Sequence, residues 1–282
     1  MTKESELQQK ANEIRERTLE MCIKAGTGHV TSSFSCAELL TTLYFAEVMK
    51  YKSENPKWNE RDRFILSKGQ ASPILYVTLA KAGFFPEEWL NTFCEADGHF
   101  GVHLQGDVPG VEFTTGSLGH GLGLGVGKAL SAKIDKKDYH TFVLLGDAEL
   151  QEGSNWEAAM SASQYKLNNL TAIVDRNGYG VLCSTEESSG LDSLEEKFSS
   201  YGWNTQSIDG HSVKEFMNAL EKRKEGDKNK PSVIIAYTTK GKGIKSWENV
   251  PLRHGTAPQG DEIIKTRKEL NDYISGREYE NR

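Results

Sequence analysis

Two short polar tips in the chain carry residue types suited to divalent-cation chemistry. Asp147 follows the apolar run 141–145 after one glycine in "TFVLLGD", and Asn177-Gly178 follows the run 170–174 in "LTAIVDRNG". Magnesium takes oxygen ligands in near-octahedral geometry and is commonly shared between protein and ligand phosphates. An aspartate carboxylate, an asparagine side-chain carbonyl and one backbone carbonyl just beyond it would supply part of that shell, with diphosphate oxygens and water completing it. The same residues would equally serve as a helix cap at Asp147 and an ordinary Asn-Gly turn, so spacing alone leaves both readings open.

Either reading needs regular elements to place the tips. Both apolar runs are predicted as short buried strands. Between them, residues 154–166 are predicted as a helix, with Ser154 as N-cap and Trp156, Ala159, Met160 and Ser163 along one face. Strand, helix and strand over roughly thirty residues make a right-handed βαβ crossover. Both tips then emerge at the carboxyl edge of one parallel sheet, where open α/β folds bind ligands. Upstream, helices are expected over residues 5–24, stopping near Gly26, over 36–49, and in "SPILYVTLAKAG" with Pro73 in the first turn. "GTGHVTSSFS" is expected to be a loop, "RDRFILSKG" a short strand and turn, and 97–116 a long loop. "GSLGHGLGLGVGKALSAK" is expected to be a helix whose glycines permit close packing. Downstream come a loop to about Ser189, a helix over 194–200, a strand in "WNTQSID", a helix over 213–224 capped by Asp209, and a strand in "PSVIIAYTT". A loop through "KGKGIKSWENVPLRHGTAP" and a charged surface helix from Asp261 close the chain. The order predicts an α/β fold with a doubly wound, mostly parallel sheet, as a single domain spanning 1–282.

Bulk composition removes several function classes. The 282 residues are 37% hydrophobic, and 34 Lys and Arg against 40 Asp and Glu give a net charge of −6. No general basic field favours nucleic acid or an anionic membrane. Four cysteines are scattered without a C-x-x-C pair, which argues against a disulfide framework or zinc site and for a reducing, cytoplasmic setting. The start is polar and mixed in charge, unlike a signal peptide, and no apolar stretch reaches the roughly 20 residues needed to span a bilayer. The glycines from Gly116 to Gly127 never fall into G-x-G-x-x-G register, and Gly127-Lys128 is followed by Ala129 rather than Ser or Thr. A dinucleotide fingerprint and a phosphate-binding P-loop are both excluded.

"GDA" at 146–148 and "DRNGYG" at 175–180, together with "GTGHVTSS", "RDRFILSKG", "GVEFTTGSLGHG", "LQEG" and "RHGTAPQG" in this order, give the sequence its family. It resembles the thiamin diphosphate enzymes, and specifically the N-terminal half of transketolase, over nearly the whole chain. The resemblance implies the thiamin diphosphate-binding fold. Asp147 and Asn177 would bind magnesium or calcium, with the Tyr179 carbonyl as a third ligand. The diphosphate would lie near Gly146, Ala148, Asn177, Gln70 and His254. Gly116, Ser117 and Leu118 match the segment contacting the aminopyrimidine, and Val181 matches the apolar residue beneath the bent cofactor. His29 and His103 match histidines lining the substrate channel, His254 matches one facing the reacting carbon, and Glu152 matches an interface carboxylate that couples two active sites.

Three positions depart from the family pattern. Ala148 replaces the second glycine of G-D-G, which matters if the turn needs a positive φ. Gln70 stands where histidine is usual and can donate a hydrogen bond to phosphate without carrying charge. Gly180 stands where a serine is common. The glutamate that activates the cofactor in the family belongs to a second, pyrimidine-binding domain that these residues do not contain. The resemblance therefore implies one half of a split transketolase, assembled two plus two with a C-terminal partner that carries the pyrimidine-binding domain. Together they would transfer a two-carbon ketol unit from a ketose to an aldose. A pentose phosphate, a branched sugar phosphate and a sulfonated ketose all fit. Deoxyxylulose-phosphate synthase and 2-oxo acid dehydrogenase E1 components are the enzymatic alternatives, disfavoured by "GVEFTTGSLGHG" with "LQEG". A non-catalytic, regulatory subunit is the alternative of another class.

Overall fold

The computed structural model describes residues 2–277. Five strands, β1 (Arg63–Leu66), β2 (Thr141–Gly146), β3 (Leu170–Arg176), β4 (Asn204–Asp209) and β5 (Ser232–Tyr237), form one sheet in the order β1-β2-β3-β5-β4. Every pairing is parallel, with Leu144 opposite Leu66 and Ile173 opposite Leu144 in register. Side chains alternate between faces with period two. Phe64, Leu66, Phe142, Leu144, Ile173 and Ile234 face one core, and Ile65, Val143, Leu145, Ala172, Val174 and Val233 face the other. Burial on both faces explains why these strands read as continuous apolar runs.

Helices cover both faces. The first core is covered by α1 (Lys3–Ala25), α2 (Val30–Phe34), α3 (Ala37–Phe45), α4 (Ser72–Lys81) and, later in the chain, Val213–Lys222. The second is covered by α5 (Gly121–Ile134) and α6 (Gly153–Gln164), then α7 (Thr185–Ser189) and α8 (Leu194–Ser200) lead to β4. Helix α9 (Val213–Lys222) returns the chain from β4 to β5 on the opposite face, as crossovers of constant hand require when the direction across the sheet reverses. Helix α10 (Asp261–Ile274) closes the described chain.

Several local expectations are corrected. Ser154 does not cap α6; Glu152 does, while the Ser154 hydroxyl donates to the Gly119 carbonyl at 2.7 Å. The buried face of α6 is Asn155, Ala158, Ala159 and Ala162, and Met160 is 50% exposed. "VTSSF" is a fully buried helical turn rather than loop. Helix α3 stops at Phe45, and Glu47 beyond it takes a left-handed φ of 62°. The expected loop before Ser189 contains α7, fixed by a reciprocal Ser184–Glu187 capping box. Helix α9 is capped by Ser212, while Asp209 accepts from the His211 N–H at 2.9 Å. In α5 only alternate glycines are forced: a methyl on Gly125 would lie 2.4 Å from Cγ2 of Val143, whereas Gly123 and Gly127 face open space.

Candidate active site

Because the strands are parallel, the segments after β1, β2, β3 and β5 emerge at one edge. Lys68 and Gln70 follow β1, Asp147 and Ala148 follow β2, Asn177 and Tyr179 follow β3, and Lys240 follows β5. Together with Leu118, Gly146, Glu152, Val181, Leu182 and His254 they line a cavity of about 390 Å³. Its size suits a small cofactor. The polar wall is formed by Asp147, Asn177, Lys68 and Lys240; Leu118, Val181 and Leu182 form the apolar one. Val181 and Leu182 are exposed at 54% and 78%.

The Asp147 carboxylate is 1% exposed. It accepts the Gly178 N–H at 2.6 Å, the Ala148 N–H at 2.8 Å and an Arg176 nitrogen at 3.2 Å. Gly178 reaches it from a φ of 82°, the left-handed turn that favours glycine. Burial, then the nearby Asp175, pushes the Asp147 carboxyl above its ordinary range, against the opposing pull of the Gly178 and Ala148 N–H groups and Arg176. Asn177 Oδ1 accepts from the Tyr179 N–H at 3.2 Å, and the Tyr179 carbonyl accepts from Lys240 at 3.2 Å. Asp147, Asn177 and Tyr179 line one cavity, and a carboxylate, an amide oxygen and a backbone carbonyl are the hard donor types that magnesium or calcium takes. Among the described residues no cluster of three or more His, Cys, Asp or Glu offers a competing site.

Two of the three departures from the family pattern, Ala148 and Gln70, have defined surroundings here. Ala148 opens a short 3-10 turn without a positive φ, so its methyl costs no strain. Gln70 donates to the Gly116 carbonyl at 2.9 Å, leaving its buried Oε1 without a partner among the described residues. Gly116 packs on His103, and Ser117 is exposed. Glu152 lines the cavity and is exposed.

The histidines converge from distant parts of the chain. The ring of His29 lies 5.5 Å from His103 and 5.2 Å from His254. Burial, then His103 and Lys240, lowers His29 to about 4; burial, then Lys240 and His29, lowers His254 to about 3. Both are neutral near pH 7, and Nδ1 of His29 is buried without a partner among the described residues.

Four further residues organise this edge. Lys68 pairs with the fully buried Asp175, which also takes hydrogen bonds from Ser35 and Thr238. Glu149, pushed up by burial, ties Ser67, the Gly119 N–H and the Gly146 N–H together, holding the 116–119 segment against the strand ends. Lys240 is 1% exposed and donates to the carbonyls of Tyr179 and Gly180 and to His254. Among the described residues no carboxylate lies within ion-pair distance of it. Lys68 and Lys240 are not among the residues the sequence marked; the one signal that could have found them is their position just after predicted strands.

Comparison with known proteins finds relatives over most of the chain. The family model "Transketolase, thiamine diphosphate binding domain" matches residues 7–273. The chain is 40% identical over 280 residues to one of the named subunits of the apulose-4-phosphate transketolase of Phocaeicola vulgatus, covering 98% of this chain and 97% of that protein. It is 42% identical over 250 residues to a 6-deoxy-6-sulfo-D-fructose transketolase subunit of Clostridium sp., covering 88% and 90%. The crystal structure of transketolase from Campylobacter jejuni superposes with a TM-score of 0.86 at 32% identity, covering 94% of this chain but 42% of that longer one. The chain belongs to the transketolase family and corresponds to its thiamine diphosphate-binding domain.

Proposed function

We propose that this chain is the diphosphate-binding subunit of a two-chain transketolase that moves a two-carbon ketol unit from a phosphorylated or sulfonated ketose to an aldose. The observation that carries the reading is the near end-to-end match to a relative named as a single subunit of a transketolase, combined with the buried Asp147 carboxylate that lines the cavity. A second relative of similar extent is named for a sulfonated ketose, which supports a donor with an anionic tail. The partner would carry the pyrimidine-binding domain, in a two-plus-two assembly, and this chain would act as one domain. Four free cysteines support a reducing compartment. Among the described residues no helix is long and apolar enough to cross a membrane.

When bound, thiamin diphosphate supplies the carbon nucleophile that allows the ketose C2–C3 bond to break. Asp147, the Asn177 side-chain oxygen and the Tyr179 carbonyl would hold the divalent cation. Lys240 offers the diphosphate an ammonium not already neutralised by a carboxylate, while Lys68 is committed to Asp175. Gln70 is a neutral donor at the same end, where the Ala148 N–H is already given to the Asp147 carboxylate. Gly116, Ser117 and Leu118 would border the pyrimidine ring, and Val181 the underside of the cofactor. Neutral His29 and His254, together with His103, would orient the substrate carbonyl and exchange protons with its oxygens, a role suited to imidazole. Glu152, exposed where it lines the cavity, is available to a second copy across the assembly.

Titration of the assembled complex with thiamin diphosphate tests the reading. Binding that requires magnesium and disappears in Asp147→Ala supports it. A stable complex that never binds the cofactor makes the chain a non-catalytic subunit.

A further inference from the structure

The turn Asp209-Gly210-His211 after β4 does not line the cavity, yet its imidazole reaches the peptide beside Lys240. Nε2 of His211 accepts the Thr239 N–H at 2.8 Å. A backbone amide can only donate, so Nε2 is the bare nitrogen and Nδ1 carries the ring proton. That proton is directed at Oε2 of Glu38, 3.1 Å away on α3. Glu38 is fully buried and accepts from both terminal nitrogens of Arg15 at 2.6 Å and from Gln8 at 3.0 Å. Burial alone would raise this carboxyl, but Arg15 and His211 hold it well below the usual carboxylate range. The acceptor facing Nδ1 is therefore a fixed anion, which locks both the tautomer and the ring orientation.

Thr239 lies between two residues already committed to the site. Thr238 hydrogen-bonds Asp175, and its N–H donates to the Arg176 carbonyl at 3.1 Å. Lys240 extends into the cavity toward Tyr179, Gly180 and His254. We infer that Arg15, Glu38 and His211 form a positioning relay that pins the Thr239 peptide and so sets the Lys240 ammonium where it meets the cofactor diphosphate. The inference rests on the reading of Lys240 given above.

Two substitutions separate the halves of the relay. His211→Asn keeps a donor near the Nδ1 position for Glu38 but is too short to accept from Thr239. His211→Gln carries a carbonyl and an amino group spaced like the two ring nitrogens, so it can serve both partners. Thiamin diphosphate dissociation constants are measured at fixed magnesium on the assembled complex for each variant, for Lys240→Met and for His211→Asn combined with Lys240→Met. The expected result is about a tenfold loss in His211→Asn, recovery of most of it in His211→Gln, and a double variant no weaker than Lys240→Met alone, because one residue acts through the other. Unchanged affinity in His211→Asn, or losses that multiply in the double variant, overturns the relay. Unchanged affinity in Lys240→Met overturns the diphosphate role of Lys240 and the inference with it.

Discussion

Nζ of Lys240 lies 3.1 Å from Nδ1 of His254. An ammonium can only donate, so Nδ1 is the acceptor and the His254 ring proton resides on Nε2. The hydroxyl of Ser32, 3.4 Å from the same nitrogen, completes the contact. Burial, then Lys68, lowers Lys240 to about 8, so it remains mostly charged at neutral pH while the histidine beside it remains neutral. One cation thus serves both as the candidate diphosphate partner and as the group that sets the tautomer of a candidate proton carrier.

Replacing Lys240 with methionine separates those roles. Removing a neighbouring positive charge makes protonation easier, so His254 rises from about 3 toward its ordinary value, short of it because burial persists. Histidine NMR titration of the variant detects the shift. Cofactor affinity falls about 10–100-fold, the scale of one lost charge-assisted hydrogen bond. An unmoved His254 titration contradicts the contact.

Stability should depend on these histidines below neutral pH. His29 and His254 are lowered to about 4 and about 3 from 6.5. As pH falls below 6.5, the unfolded chain takes up protons that the folded chain refuses, so stability drops from about 6.5 down to about 4 for His29 and about 3 for His254. Above that window both are neutral in both states and contribute no slope. Urea midpoints of His29→Gln and His254→Gln, compared with the native chain, should show a constant difference above pH 7 and a relative gain for the variants below pH 6. Parallel curves throughout would exclude depressed histidines.

Asp147→Asn should weaken binding far more than it weakens the fold. Asparagine preserves shape and an acceptor for the Gly178 N–H and removes a buried charge, but turns its amino group toward the Ala148 N–H. Magnesium-dependent cofactor affinity should drop by about 10–100-fold, while the cofactor-free melting temperature changes little, because Arg176 keeps Glu186 and Asp192 as partners and relief of the buried charge offsets the lost Ala148 bond. A large fall in cofactor-free stability with binding intact would make Asp147 a structural cap.

Helix α5 offers a paired test of packing. Gly125→Ala forces a methyl into Val143 and should destabilise by about 1–3 kcal/mol. Gly127→Ala meets open space on the outer face and should stabilise the helix by roughly 0.5–1 kcal/mol. Chemical denaturation of the two variants gives opposite signs if α5 is seated on β2 as described.

Much of the scaffold was legible because buried parallel strands leave continuous apolar runs, and Asp147 and Asn177 stand at their polar ends. The phase of α6 was not, because Ala and Ser carry little hydropathy contrast and Met160 outweighed Asn155 and Ala158 on composition alone. "VTSSF" looked like loop since its hydroxyls signal solvent, yet they pack beneath the site. The histidine cluster joins His29, His103 and His254 across most of the chain, a proximity that no local spacing encodes; only the family resemblance indicated it. Lys68 and Lys240, in "SKG" and "TTKGKG", resemble solvated loop lysines in one dimension. Their burial at a shared strand edge distinguishes them.

Native mass spectrometry of the chain, affinity-purified from its own source with magnesium and thiamin diphosphate present, tests the two-chain enzyme most directly. The predicted species is a two-plus-two complex with a second chain of similar size, carrying one cofactor and one metal per pair. A homodimer with no partner and no bound cofactor would contradict it.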